Sequence, residues 1–420
     1  MNPELASTTP LPLDWVRAQF PALAMDWILM DNAGGSVPLG RVIDRVSNYM
    51  ARWPVQLGAS YAPSAEAGKL LEDARESLAA MMVGHDGARP AADELVIGSS
   101  TSSLVSRLAR ALAPDLTPGD EIIVTDVDHE ANITPWRRLA ALGVKLRTWH
   151  LNPESQRLEI DDLRPLLNER SRLVCFTHAS NLLGEATPVR EITALAHEHD
   201  ARVCVDGVAY APHRPLAVRD WDVDFYAFSM YKVYGPHCAV MFARRDRLAE
   251  LNNINHQFMD GMDGPGKLEP GSFPYELLYG AAGVPGYLAE LSQRLGGKSD
   301  GAQAWQAIAD QEAVLSSRLL DYLDSRDDAE IVGSARLSSV RLPTISFTVA
   351  GQRSSAIPPL CEPAQIGIRW GHFYAPRLIE RLGLTDRDGV VRVSMVHYNT
   401  VDEVDALIRT LDAGLDALRA

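Results

Sequence analysis

Lys232 lies in Ser229-Met-Tyr-Lys232-Val-Tyr-Gly235-Pro236, among apolar and aromatic neighbours. Withdrawing an amine from water lowers its pKa and makes it a nucleophile. Taken alone, the same residue also reads as a surface lysine snorkelling to solvent. Asp206 closes the apolar run Arg202-Val-Cys-Val-Asp206, and a carboxylate that deep needs a partner. Gly98-Ser-Ser-Thr-Ser-Ser103 leads directly into a helical pattern. Ser100, Thr101 and Ser102 would there add hydroxyls to free backbone N–H groups and a helix dipole, which suits a phosphate. By itself the run reads as an N-cap with spare serines. His129, in Asp126-Val-Asp-His129-Glu-Ala-Asn132, would alone be a polar loop residue. Asn181, in His178-Ala-Ser-Asn181, would alone be part of a turn.

What joins these residues is the elements that carry them. Short apolar runs occupy 94–99, 121–127, 145–151, 172–179, 202–208 and 224–230, separated by amphipathic segments. That texture predicts buried parallel strands with crossover helices, an α/β layer whose ligands sit at the carboxyl ends of the strands. Five of the runs deliver one of the residues above at that end. Together they offer a phosphate cradle, an acid for a pyridinium nitrogen, a Schiff-base amine, an aromatic ring to stack and an amide for a phenolic oxygen. Pyridoxal 5'-phosphate asks a protein for that set.

After Gly280 the pattern changes to a long helix over 301–325, strands near 344–350 and 390–398, and a last helix opened by the capping box Thr400-Val-Asp-Glu403. The expected organisation is a large cofactor-binding domain over 32–285 and a small α+β domain over 286–420. The segment 1–31 is expected to pack with the small domain. Residues 351–372 are expected to form an irregular loop.

Composition narrows the partners. Of 420 residues, 46% are hydrophobic and 23% charged, and 40 basic against 55 acidic residues leave a net charge of −15. A field of that sign disfavours nucleic acid and anionic membrane surfaces. Cys175, Cys204, Cys238 and Cys361 show no metal-like spacing and no disulfide framework. No metal is expected. With neither a signal-peptide pattern nor a membrane-length apolar run, a cytoplasmic protein is expected.

Asp206 followed by Ser229-Met-Tyr-Lys232-Val-Tyr-Gly-Pro resembles the Asp…Ser-x-His-Lys-x-x-Gly-Pro region of class V aminotransferases, cysteine desulfurases in particular. Asp128-His129-Glu-Ala-Asn132 is similar to their Glu-His-x-Ala-Asn, and Ser180-Asn181-Leu-Leu-Gly184 to their Ser-Asn-x-x-Gly. Met30-Asp31-Asn32-Ala33-Gly34 is similar to their Leu-Asp-x-Ala start, and Glu269-Pro-Gly271-Ser272 to their Glu-x-Gly-Thr. Val391-Arg392-Val-Ser394…Tyr398-Asn399-Thr400 resembles their Arg-x-Ser…Tyr-Asn-Thr close. The resemblance runs in order from about residue 25 to the C-terminus. It implies the pyridoxal-phosphate fold of type I and a homodimer with sites at the interface. Lys232 would be the Schiff-base lysine and Cα proton shuttle, Asp206 the pyridinium partner, His129 the stacking ring, and Asn181 the contact to the 3-oxygen. Ser100, Thr101, Ser102, Ser229 and Tyr231 would surround the phosphate, with Ser272 reaching that of the neighbouring subunit. Arg392 would hold the substrate α-carboxylate, with Ala33, Gly34, Asn181, Arg369 and His372 completing the substrate side.

Two departures from the family pattern redirect the function. Ala209 stands where the family has Gln or another polar residue at the 3-oxygen. In Arg369-Trp-Gly371-His372-Phe-Tyr374-Ala375-Pro, Tyr374 stands where shorter-loop desulfurases carry their nucleophilic cysteine. A tyrosine cannot take sulfur from a cysteine adduct, and Cys361 lies outside the motif. The resemblance therefore implies a desulfurase-like enzyme on a small amino acid that acts as a lyase, by β-elimination or C–S cleavage. Transamination and epimerisation share the early steps and stay open, as does a non-catalytic partner or sensor on the same fold. Tyr374 is open between a general acid toward a Cβ leaving group and, with Phe373, a packing lid.

Overall fold

The computed structural model describes residues 10–419 apart from 336, 337 and 339; the expected N-terminal segment lies outside the described residues over its first nine. Each apolar run forms a strand: β1 (Leu95–Gly98), β2 (Glu121–Thr125), β3 (Lys145–Trp149), β4 (Ser171–Thr177), β5 (Arg202–Asp206) and β6 (Phe225–Ser229). A seventh strand, β7 (Ala239–Ala243), completes a sheet of order β1-β7-β6-β5-β4-β2-β3. All are parallel except β7, which runs antiparallel to both β6 and β1. The sheet is thus mostly parallel, as the resemblance implies, with this one strand reversed. Nine residues separate β6 from β7, too few for a crossover helix, so the chain reverses instead. Lys232 sits in that reversal.

Alternate residues of each strand enter the two sides of the core. Val96, Ile122, Val124, Leu173, Cys175 and Phe225 fall in one apolar cluster. Ile97, Ile123, Val174, Phe176, Val205 and Tyr226 fall in the other. Both faces are covered, as a parallel sheet requires. Helix α1 (Thr101–Leu112) begins where Ser100 Oγ accepts from Ser103 N at 3.1 Å, and buries Leu104, Val105, Leu108 and Leu112.

A second sheet, order β10-β11-β9-β8, is antiparallel throughout: β8 (Ala329–Val332), β9 (Thr344–Val349), β10 (Arg369–Gly371) and β11 (Val390–Ser394). Helices α2 (Ala302–Asp324) and α4 (Val401–Arg419) cover it through Leu315, Leu319, Leu407 and Leu411; the short α3 (Pro376–Arg381) lies between them in sequence. The capping box forms as read: Glu403 N donates to Thr400 Oγ1 at 3.0 Å and Thr400 N to Glu403 Oε2 at 3.1 Å. The stretch 351–372, expected as irregular, holds a short helix (Pro358–Cys361) and strand β10. Arg369 is thereby placed directly opposite Arg392 on β11. Ile28–Leu29 pair in parallel with Ile366–Gly367, and Asp31 bridges to Ser394, so the residues after Met30 run along this sheet into the site. Among the described residues no helix is long and apolar enough to cross a membrane.

Candidate active site

The carboxyl ends of β4, β5 and β6, the start of α1 and the loop after β2 meet at one cavity. Ser100, Thr101, Ser102, His129, Asn181, Asp206, Ser229, Tyr231 and Lys232 all line it, with Ala209 beside them. Nine residues expected from scattered positions are thus neighbours. Thr101 Oγ1 and Ser229 Oγ lie 2.7 Å apart at the α1 N-terminus, a paired hydroxyl floor beneath free amides.

Lys232 is 8% exposed. Burial, reinforced by Arg392 and opposed by Asp206 and Asp31, lowers its amine to a pKa of about 8. Asp206, 4% exposed, accepts at Oδ1 from Val208 N at 2.9 Å, and its other oxygen has no protein donor among the described residues. Burial raises its pKa, while that N–H and Lys232 pull the other way. His129 Nδ1 accepts from Ala131 N at 3.0 Å, which places its proton on Nε2. Burial, then Lys232, holds this imidazole down at about 4, so it is neutral at physiological pH. A neutral ring, an acid with one open oxygen and an uncommitted amine fit a protonated pyridine carrying an aldehyde. The hydroxyl floor fits its phosphate.

Behind them sits a buried acid to which the sequence reading gave no role. Asp128 accepts from Asn132 Nδ2 at 2.7 Å, from Thr177 N at 3.2 Å and from the Thr125 hydroxyl. Burial pushes its carboxyl up to about 7, with Asp206 adding to the rise.

The residues expected on the substrate side gather around β10 and β11. Arg392, 2% exposed, donates from Nη2 to Asp31 Oδ1 at 2.7 Å and from Nη1 to the Asn181 carbonyl at 3.1 Å. Its Nε finds no acceptor, and the Phe373 ring lies 3.8 Å from its guanidinium carbon. Arg369 is exposed and donates from Nη1 to Asp31 Oδ2 at 3.4 Å. Ala33 N donates to Ser394 Oγ at 2.8 Å, and a Cβ on Gly34 would stand 2.8 Å from Asp31 Oδ2. Phe373 and Tyr374 both hold positive φ, 47° and 59°, a costly backbone for aromatic residues. Four hydrogen bonds hold the turn: Ala375 N to the His372 carbonyl at 2.7 Å, Asn181 Nδ2 to the Phe373 carbonyl at 2.9 Å, Glu130 N to the Tyr374 carbonyl at 2.8 Å, and Tyr374 N to His372 Nδ1 at 3.1 Å. Tyr374 is 65% exposed, its ring 5.2 Å from that of His129.

Ser272 is the one expected site residue set apart. It is exposed and accepts a hydrogen bond from the Tyr275 hydroxyl at 3.4 Å. All four cysteines are buried; Cys361 packs among Met30, Leu315 and Ile366, and burial pushes its thiol up to about 11. Asp31 is the neighbour of Arg392 and Arg369 that sequence reasoning missed. It lay inside a quoted motif, yet nothing in its local pattern reveals a partner more than 330 residues away.

The family described as aminotransferase class V matches this chain over residues 28–407. The aminotransferase-like protein FGM3 of Gibberella zeae is 41% identical over 416 residues, 97% of this chain and 99% of that protein. The cysteine desulfurase-like protein ustD of Aspergillus flavus is 34% identical, over 98% of this chain and 93% of its own. A crystal structure of the cysteine desulfurase CsdA from Escherichia coli aligns at a TM-score of 0.83 and 26% identity, covering 97% of this chain and all of that one. A mutant of C-DES with glycine covalently linked to its PLP cofactor aligns at 0.77 and 21% identity, covering 94% and 99%.

Proposed function

Because the chain belongs to the class V aminotransferase family, we propose that it is a pyridoxal-phosphate enzyme acting at Cα and Cβ of a small amino acid, as a lyase. The observation that carries this reading is the cavity itself. An unpaired amine, a half-committed carboxylate and a hydroxyl-lined helix start converge there, while every thiol is buried elsewhere. When bound, the cofactor supplies an electron-withdrawing ring conjugated to the substrate nitrogen.

The protein's own groups do the rest. Thr101, Ser229 and the amides after Ser100 would bind the phosphate, and Asp206 would keep a proton on the ring nitrogen. His129, neutral, would stack against the ring. Lys232, the buried amine of the cavity, would take the Cα proton. Arg392 fixes the carboxylate end, and the Tyr374 hydroxyl hands a proton to the group departing from Cβ. We further propose a homodimer in which Ser272 of one protomer serves the phosphate site of its partner. The large and small domains are proposed to meet near residue 285.

A panel of small amino acids, assayed for pyruvate, ammonia, sulfide and keto acids, tests the lyase reading. Ammonia with a keto acid from a substrate bearing a Cβ leaving group is expected. A keto acid without ammonia would instead establish transamination, the reading favoured by the aminotransferase-like relative.

Two further outcomes follow from the geometry. Arg392→Lys is expected to raise KM about tenfold or more with kcat changed far less, because one ammonium cannot reproduce a two-pronged guanidinium contact. An unchanged KM would move the carboxylate site elsewhere. Incubation with cysteine is expected to leave no protein persulfide, since a thiol held near 11 offers little thiolate. A persulfide trapped on Cys361, with activity lost in Cys361→Ser, would restore the desulfurase reading.

A further inference from the structure

Arg369 and Arg392 are cross-strand partners, so two guanidiniums face each other across β10 and β11. Like charges directly opposite destabilise a sheet. Asp31 resolves the conflict by giving one oxygen to each, Oδ1 to Arg392 and Oδ2 to Arg369. Arg392 is buried beneath Phe373 and beside Lys232, and would be costly to leave without a counter-ion. A carboxylate of the protein itself thus occupies the guanidinium that a substrate carboxylate must reach.

We propose that Asp31 is a displaceable counter-ion: it neutralises Arg392 until a substrate carboxylate arrives, then transfers to Arg369 alone. The inference rests on the reading of Arg392 as the carboxylate anchor. The two contacts are unequal, and Asp31 already touches the residue that would keep it. The Arg392 side is tight and buried, and the Arg369 side is looser and open to solvent, at 3.4 Å. Arg369 therefore never touches substrate; it is a positioning residue that acts through Asp31. Specificity for a carboxylate follows, because only an anion can replace the anion that leaves.

The test uses the holoenzyme and propionate, which has the carboxylate without the amine, with propionamide as the uncharged control. Dissociation constants are read by ligand-observed NMR, which requires no turnover. Asp31→Asn, close to isosteric, is expected to bind propionate about tenfold more tightly, as befits removal of a charge-assisted competitor, and propionamide as before. Arg369→Gln is expected to weaken propionate several-fold in the wild-type background and to have no effect in the Asp31→Asn background. Unchanged or weaker propionate binding in Asp31→Asn overturns the proposal. So does an Arg369→Gln loss that persists without Asp31, because Arg369 would then touch the ligand itself. Arg392→Gln separates the two levels. If it leaves propionate binding intact, the anchor reading fails. If it abolishes binding while Asp31→Asn gives no gain, only the counter-ion role fails.

Discussion

Lys232→Ala is expected to lose the visible absorbance of a lysine-linked cofactor and to cut turnover by about four orders of magnitude, the upper range for removing a general base. Pyridoxal phosphate itself should stay bound, because the Thr101 and Ser229 hydroxyls and Asp206 are untouched by the change. Absorbance spectra before and after dialysis, with single-turnover rates, check both halves. An unchanged spectrum would remove Lys232 from the site. The amine also sets a pH dependence. Burial and Arg392 lower its pKa to about 8, and only the neutral amine attacks an aldehyde. Attachment of the cofactor to apoprotein should therefore quicken about tenfold per unit as pH rises toward 8, and level off above it. A rate flat from pH 6 to 9 would mean that the amine is neutral throughout.

What could be read from the chain alone follows from how local the signals were. Lys232, Asp206, His129 and Asn181 each follow a buried strand, so apolar periodicity alone brought them to one edge of the sheet. Strand β7 was not among the runs read from the sequence, and of its reversal the chain shows just the nine-residue spacing from Ser229. The stretch 351–372 looked irregular because its strands are two and three residues long, below the length at which alternation shows. Placing Arg369 on β10 changed its meaning from a loop cation to the neighbour of Arg392. Asp128 was quoted within a motif without a role: Thr125 and Asn132 are near it in sequence, but its burial and its bond from Thr177 N on β4 depend on a separate strand. Sequence spacing cannot report such contacts; they exist only once the strands are ordered.

Asp206→Asn is expected to retain the cofactor while turnover falls by about three orders of magnitude, as assayed by steady-state kinetics on the dialysed protein. The substitution preserves shape. An amide oxygen can still accept from Val208 N, so the β5 end should stay in place. What disappears is a negative charge in a site from which water is largely excluded, where electrostatic stabilisation of developing charge is worth most. Without it the ring nitrogen loses its proton and the pair of electrons left at Cα has nowhere favourable to go. Asp128 does not take over. It lies behind Asp206 with its oxygens already engaged by Thr125, Asn132 and Thr177, and it lines no part of the cavity. It does report the change, since Asp206 is one reason that its carboxyl titrates near 7. Removing that charge should lower the Asp128 pKa, a shift that NMR of the labelled carboxyl would follow. Near wild-type turnover in Asp206→Asn, together with an unmoved Asp128, would show that the ring nitrogen is held by some other group.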